Sequence, residues 1–166
     1  MSVDGFLEGT ATDHRGRSID DILAFSDAEL ETVHDYIQWL FPLPEASAFN
    51  PSAPILGPED VDRMRRNPAA RRNLERAAER MMSFYRDTDH WLVATDHNHL
   101  RITRILRCLA LLVGRPRAEA FRDAIEARVA AAGNPVNPQS RDYWRRAAAS
   151  APVYDLKASD SSSPTS

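Results

Sequence analysis

Two stretches of the 166-residue chain are dense in residues capable of chemistry, HDYIQWLFPLPEASAFN at 34–50 and DHNHLRITRIL at 96–106. Arg101 and Arg104 stand about one turn apart near the start of a helical pattern, where guanidinium forks suit a carboxylate or phosphate. His34 and Gln38 would lie on the polar edge of the preceding cluster. Tyr36 and Trp39 would serve as aromatic walls, and Asn50 and His97 as neighbouring polar groups. The same residues invite a second chemistry, hydrolysis at a divalent metal, with His34 and Asp35 joined by His14 or His97. Adjacent helical residues diverge by about 100°, so a mid-helix His34-Asp35 pair is poorly arranged to share one ion, and His97-x-His99 diverges in the same way. A third reading assigns both clusters to packing. His34 and Gln38 would then be satisfied core residues, and Arg101 and Arg104 would pair with acids of residues 1–60.

The elements that must position these side chains are helical throughout, with no convincing strand alternation. Ser18 with Asp21, and Ser26 with Glu29, form N-terminal capping patterns. The second opens a helix expected to run unbroken over 27–41 until Pro42 and Pro44 stop it. Residues 42–57 hold four prolines and read as an ordered loop in which Ser47 and Asn50 tie down the backbone. Pro58 and Pro68 sit at first-turn positions of two further helices, and Asp96 caps a helix from His97 to Val113, closed by Gly114. A helix from Pro116 to about Gly133 and another near 139–149 follow. On the 97–113 helix Ile102, Ile105, Leu106, Leu109 and Val113 form the core arc, while His97, Arg101, Arg104 and Cys108 gather on another. Asn98 falls on the buried side, and His99 points away from His97. The expected architecture is an all-α irregular or orthogonal bundle of six or seven helices. Residues 1–14 are expected to be flexible, 15–150 to form one domain, and 151–166 to be a disordered tail.

Composition narrows the function. Hydrophobic content of 43% and charged content of 27% are those of a soluble globular domain. No apolar run approaches the roughly 20 residues that span a bilayer, and no signal peptide opens the chain, so a cytoplasmic location is expected. A single cysteine, Cys108, excludes an internal disulfide and a multi-cysteine metal site. Gly-rich phosphate loops and Ser-x-x-Lys or Gly-x-Ser-x-Gly nucleophiles are absent, so no enzyme activity and no cofactor are expected. Charge is uneven: residues 1–60 carry net −10 and residues 61–166 net +7. Packing of the two halves would pair part of it. The Arg63–Arg80 stretch lacks the interleaved aromatics of a nucleic-acid binder, and its basic face would suit an acidic protein partner.

Residues His34, Tyr36 to Pro42, Ser47, Phe49, Asn50 and His97 to Leu106 together resemble the conserved region of the opioid growth factor receptor family, over about residues 15–115. The resemblance implies a short, single-domain relative of proteins named for binding an enkephalin-type opioid peptide, unlike the seven-helix opioid receptors, and associated with membrane or nucleus. It implies a receptor-like domain that takes a peptide or other small anionic ligand between the 27–41 and 97–113 helices. It supplies no ligand-contact residues, so His34, Tyr36, Gln38, Trp39, Asn50, His97, Arg101 and Arg104 are chosen on their chemistry alone. The chain departs from larger members in lacking a lysine-rich nuclear-localisation cluster and a long repeat tail.

Overall fold

The computed structural model describes residues 2–150; the expected tail at 151–166 lies outside them. Nine helices occupy that span and no strand is present among the described residues, an isolated bridge between Leu43 and Ile55 aside. They are α1 (Val3–Glu8), α2 (Ile19–Leu23), α3 (Asp27–Thr32), α4 (Ile37–Leu40), α5 (Pro58–Arg66), α6 (Pro68–Asp87), α7 (His97–Leu112), α8 (Arg115–Ala131) and α9 (Pro138–Ala149). The all-α bundle is as expected; the count rises because one long helix is two short ones and the N-terminus supplies another.

α7 is the axis of the fold. It packs most closely against α8 and α9 and also meets α5 and α6. Eleven of its residues are buried, Ile102, Ile105, Leu106 and Leu109 among them. It begins where the Asp96 carboxylate accepts from the Asn98 N–H at 2.9 Å, satisfying one of the free donors of the first turn. It ends before Gly114, whose φ of 140° lies where a side chain is strained. Trp91 pins the preceding loop: fully buried, its indole donates to the carbonyls of Tyr85 and Thr88 at 3.2 and 3.1 Å. Trp144 of α9 donates likewise to the His99 carbonyl at 3.0 Å, so α9 is hung from the first turn of α7.

The first-turn chemistry elsewhere follows the sequence. Ser18 and Ser26 accept from the backbone N–H of Asp21 and Glu29, whose carboxylates accept in return. In α5 the Asp60 carboxylate reaches back to the Gly57 N–H at 2.7 Å.

Two expectations need correction. Residues 1–14 read as flexible, yet α1 is docked, with Phe6 and Leu7 fully buried against α4, α5 and α6. Val3, Phe6 and Leu7 follow the i, i+3, i+4 spacing of a buried stripe, Ser2 caps the start and Gly9 closes the end at φ 86°. The turn after it is held by Asp13, which is 1% exposed and accepts from the backbone of Arg15 and Arg17 and from the Arg17 side chain. The second correction is at 27–41, where the helix breaks. Val33 is extended at φ −86°, ψ 127°, and the helix restarts after Tyr36.

The cause of the break is tertiary. In a continuous helix the Leu30 carbonyl would accept from the N–H four residues on. Here it accepts from the Tyr36 hydroxyl at 2.6 Å and from Arg101 Nη1 at 2.7 Å, and Arg101 Nη2 takes the Val33 carbonyl at 3.0 Å. Side chains from outside the helix have taken over its terminal acceptors.

The uneven charge is partly resolved between the halves. Arg63 meets Asp4 at 3.3 Å, Arg76 meets Asp20 at 2.8 Å, Arg80 meets Asp27 at 2.9 Å, and Arg107 holds Glu45.

Candidate functional site

A groove of about 560 Å³ runs between α4 with its following loop and the exposed side of α7. His34, Gln38, His97, Arg101 and Arg104 line it, and so do Ile37, Leu43, Phe49, Leu100 and Arg107. It lies where the two sequence clusters meet. Its apolar rim is open to solvent, with Phe49 82% and Leu100 55% exposed.

The eight candidate residues separate by role. Tyr36 and Trp39 do not wall the groove: both are buried in the core, because the broken helix turns that side inward. Trp39 packs edge-on against Phe6 at 5.4 Å and stacks on the His14 ring at 5.9 Å. Burial pushes the Tyr36 hydroxyl up to about 12, so it stays a neutral donor to Leu30. Gln38 is buried at the groove wall, and Asn50 Nδ2 donates to its side-chain oxygen at 3.4 Å. Asn50 is itself placed by Ser47, whose hydroxyl accepts the N–H groups of Phe49 and Asn50 at 3.3 and 3.2 Å. That is the loop-tying role expected of both.

Arg101 and Arg104 pair with the N-terminal half, though through backbone carbonyls and not through its acids. Arg101, 7% exposed, spends its fork on Leu30 and Val33, and its Nη2 also donates to His34 Nδ1 at 3.2 Å. Arg104 Nε donates to the Phe41 carbonyl at 2.8 Å, closing the end of α4. The remaining Arg104 Nη2 is buried without a hydrogen-bond partner. Burial lowers the Arg104 pKa from its ordinary value, and a buried cation with a spare donor is an environment that favours an incoming anion. Arg107, the next basic residue along the groove, is already paired with Glu45. The Arg107 guanidinium, through its hydrogen bond, is the largest influence holding the Glu45 carboxyl below its usual range.

His34 and His97 come together at one end, their rings edge-on at 5.6 Å. Behind them Glu31 receives His97 at 3.0 Å, His90 at 2.8 Å and the Asn98 amide at 3.0 Å. Burial raises the Glu31 pKa, but the Asn98 and His90 hydrogen bonds and the charges of His97 and His90 outweigh it, and the net shift is downward. A carboxylate with a lowered folded pKa adds stability that is present above its ordinary value of 4.5 and lost as pH falls through the folded value. The urea midpoint should therefore fall more steeply below pH 4.5 in the wild type than in Glu31→Gln. Identical acid limbs for the two proteins would contradict the assignment.

The residues of the metal-hydrolase reading are dispersed. Asp35 is taken by Arg15 at 2.5 Å, Arg17 at 3.0 Å and His14 at 3.4 Å, while His34 faces Arg101 and His97. Among the described residues no three His, Cys, Asp or Glu side chains gather into a metal site. Cys108 sits in the core, where burial pushes its thiol up to about 12, far from a reactive thiolate. His99, buried, lies 2.8 Å from the Trp91 carbonyl and away from the groove. Asn98, fully buried, is hydrogen-bonded by the Tyr85 hydroxyl at 3.3 Å.

Sequence reasoning omitted Leu100 and Arg107 from the site. The arc chosen there ran His97, Arg101, Arg104, Cys108; the exposed face runs His97, Leu100, Arg104, Arg107. The two arcs differ by about half a residue's rotation at about 100° per residue, and the three-residue steps from His97 to Leu100 and from Arg104 to Arg107 are the sequence signal for the exposed one.

An all-α fold with this groove is the setting in which the comparisons fall. Residues 10–90 match the family model described as the opioid growth factor receptor (OGFr) conserved region, and over that span the chain resembles that family. The matched span covers α2 to α6 and the loop wall of the groove; α7, the other wall, follows it. A protein named opioid growth factor receptor from Mus musculus is 39% identical over 101 residues, covering 50% of this chain and 16% of the mouse protein. Its namesake from Rattus norvegicus is 39% identical over 101 residues, covering 50% of this chain and 17% of the rat protein. The chain thus spans about a sixth of the length of these curated relatives. No solved structure matches it significantly. No helix among the described residues is long and apolar enough to cross a membrane.

Proposed function

We propose that the groove between α4 and α7 binds a short peptide or other small anionic ligand, and that the protein acts as a binding domain and not as a catalyst. The observation that carries this is Arg104, which lines a groove of mostly apolar surface and keeps a buried Nη2 without a hydrogen-bond partner. A carboxylate would settle on Arg104, and an apolar side chain would cover Leu43, Leu100 and Phe49. The groove's 560 Å³ falls in the range of small-ligand sites, roughly 300–1,000 Å³. The curated relatives are named as receptors for an opioid growth factor, so an enkephalin-type peptide is the first ligand to try. Its terminal carboxylate supplies the anion and its aromatic residue the apolar cover.

Calorimetric titration with methionine-enkephalin and with its C-terminal amide tests both halves of the proposal. The free acid is expected to bind. The amide, and the free acid against Arg104→Ala, are expected to bind at least about tenfold more weakly, the loss of one charge-assisted hydrogen bond. Circular dichroism of Arg104→Ala checks that losing the Phe41 contact has not unfolded α4. If neither peptide form binds below about 1 mM, or about −4 kcal/mol, the enkephalin assignment fails. If the acid and the amide bind equally well, the carboxylate role of Arg104 is wrong.

A further inference from the structure

The arginines of α5 and α6 divide into those that hold the fold and those that do not. Arg63, Arg76 and Arg80 are engaged with Asp4, Asp20 and Asp27. Arg65 gives its Nε to the Leu111 carbonyl at 2.8 Å. Arg66, Arg71 and Arg72 are exposed, and their side chains form no hydrogen bond or ion pair with a described residue. All three stand at the α5–α6 corner, around two adjoining concavities of about 370 and 460 Å³.

Arg66, Arg71 and Arg72 border the first concavity; Arg71 and Arg115 border the second. Val113 lines both, and Leu111 and Ala149 extend that apolar floor. Among the described residues Glu75 is the one acid in either lining, and its carboxylate is held by Arg117 at 2.6 Å. The corner is thus a local excess of cation on a chain whose net charge is −3. Among the described residues no aromatic side chain lines either concavity, so those residues offer a nucleobase no aromatic platform.

We propose that the α5–α6 corner docks an acidic segment of a partner protein, one in which carboxylates flank an apolar side chain. The carboxylates would be taken by Arg66, Arg71 and Arg72, whose planar forks match them, and the apolar side chain would rest on Val113 and Leu111. Exposed pairs of this kind are individually weak and screened by salt, so the docking would be salt-sensitive. It is independent of the α4–α7 groove.

The test is fluorescence anisotropy with a fluorescein-labelled peptide, Glu-Glu-Leu-Glu-Glu-Leu-Glu-Glu, at about 50 mM and about 300 mM salt. The same peptide with Gln for Glu and an oligothymidylate of equal charge are the comparison ligands. The acidic peptide is expected to bind at low salt, and Arg66→Glu/Arg71→Glu is expected to weaken it at least about tenfold. Arg86→Glu/Arg122→Glu, the same charge change elsewhere, is expected to cost less than about threefold. Arg66→Gln/Arg71→Gln answers the question should the charge reversal disturb folding, and Val113→Ser is expected to weaken binding through the floor. Four results would overturn the proposal: no binding at low salt, equal losses from the two charge reversals, tighter binding of the oligothymidylate, or full binding of the Gln peptide. Methionine-enkephalin titration of the corner variants should remain as in the wild type, which separates this site from the groove.

Discussion

Replacing Arg101 by Met should destabilise the domain by about 3 kcal/mol, with little direct effect on any groove ligand. Met keeps much of the side-chain volume and removes the buried charge, so the loss comes from the acceptors left behind. The Val33 carbonyl and His34 Nδ1 lose the donor supplied by Arg101, and Leu30 keeps only the Tyr36 hydroxyl. Hydrogen bonds from a charged group are worth about 1.5–3 kcal/mol each, and here the Leu30 bond is buried while the Val33 and His34 bonds are partly buried. For a domain of this length 3 kcal/mol lowers the melting temperature by roughly 6–12 °C. Arg101→Lys should recover little of it, because one ammonium cannot span the acceptors that the guanidinium reaches from two nitrogens. Amide exchange supplies the local readout: protection at the end of α3 and the start of α4 should fall before the rest of the domain opens. A Met variant within about 1 kcal/mol of wild type would show that this guanidinium does not hold the break in the helix.

That residue also marks the boundary of what the sequence could reveal. The helices whose start and stop signals are local were legible to within a residue or two: Pro58, Pro68, Asp96 and Gly114 all sit where the structure uses them. Helix 27–41 was misread because its local signals favour continuation. Its interruption depends on a side chain some 70 positions away, Arg101 donating to Leu30, and no window along the chain contains both. The candidate site was legible in position for a related reason. A groove between two elements requires only that they be neighbours, and the dense side chains of 34–50 and 96–106 were sufficient to pair them. Assigning each residue its side of the wall required the helix phase. Once α4 restarts after Tyr36, its phase is not that of α3, so Tyr36 and Trp39 pass from wall to core. The same phase argument exchanges Cys108 for Arg107 on α7.

Phe6→Ala should be as costly as any single change outside α7, about 3–5 kcal/mol, the range for emptying a fully buried phenyl site. Residues 1–14 carry no strong local claim to order, since a six-residue helix cannot stand alone in water. Its stability must come from what it covers. Phe6 has no exposed surface, and its ring meets Trp39 edge-on at 5.4 Å, a geometry that adds somewhat to simple burial. Trp39 is in turn covered by His14. α1 and the turn after it are therefore the outer layer behind α4, and α4 carries Ile37 and Gln38 into the groove. Removing the Phe6 ring should shift tryptophan emission to the red as Trp39 is wetted, and weaken binding in the groove by loosening its wall. Ser2→Ala, which removes the cap on Gly5 and the hydrogen bond to the Asp4 carboxylate, should cost about 1 kcal/mol and leave emission unchanged. If Phe6→Ala costs less than Ser2→Ala, α1 is not docked on Trp39, and the groove wall must draw its rigidity from the 42–57 loop instead.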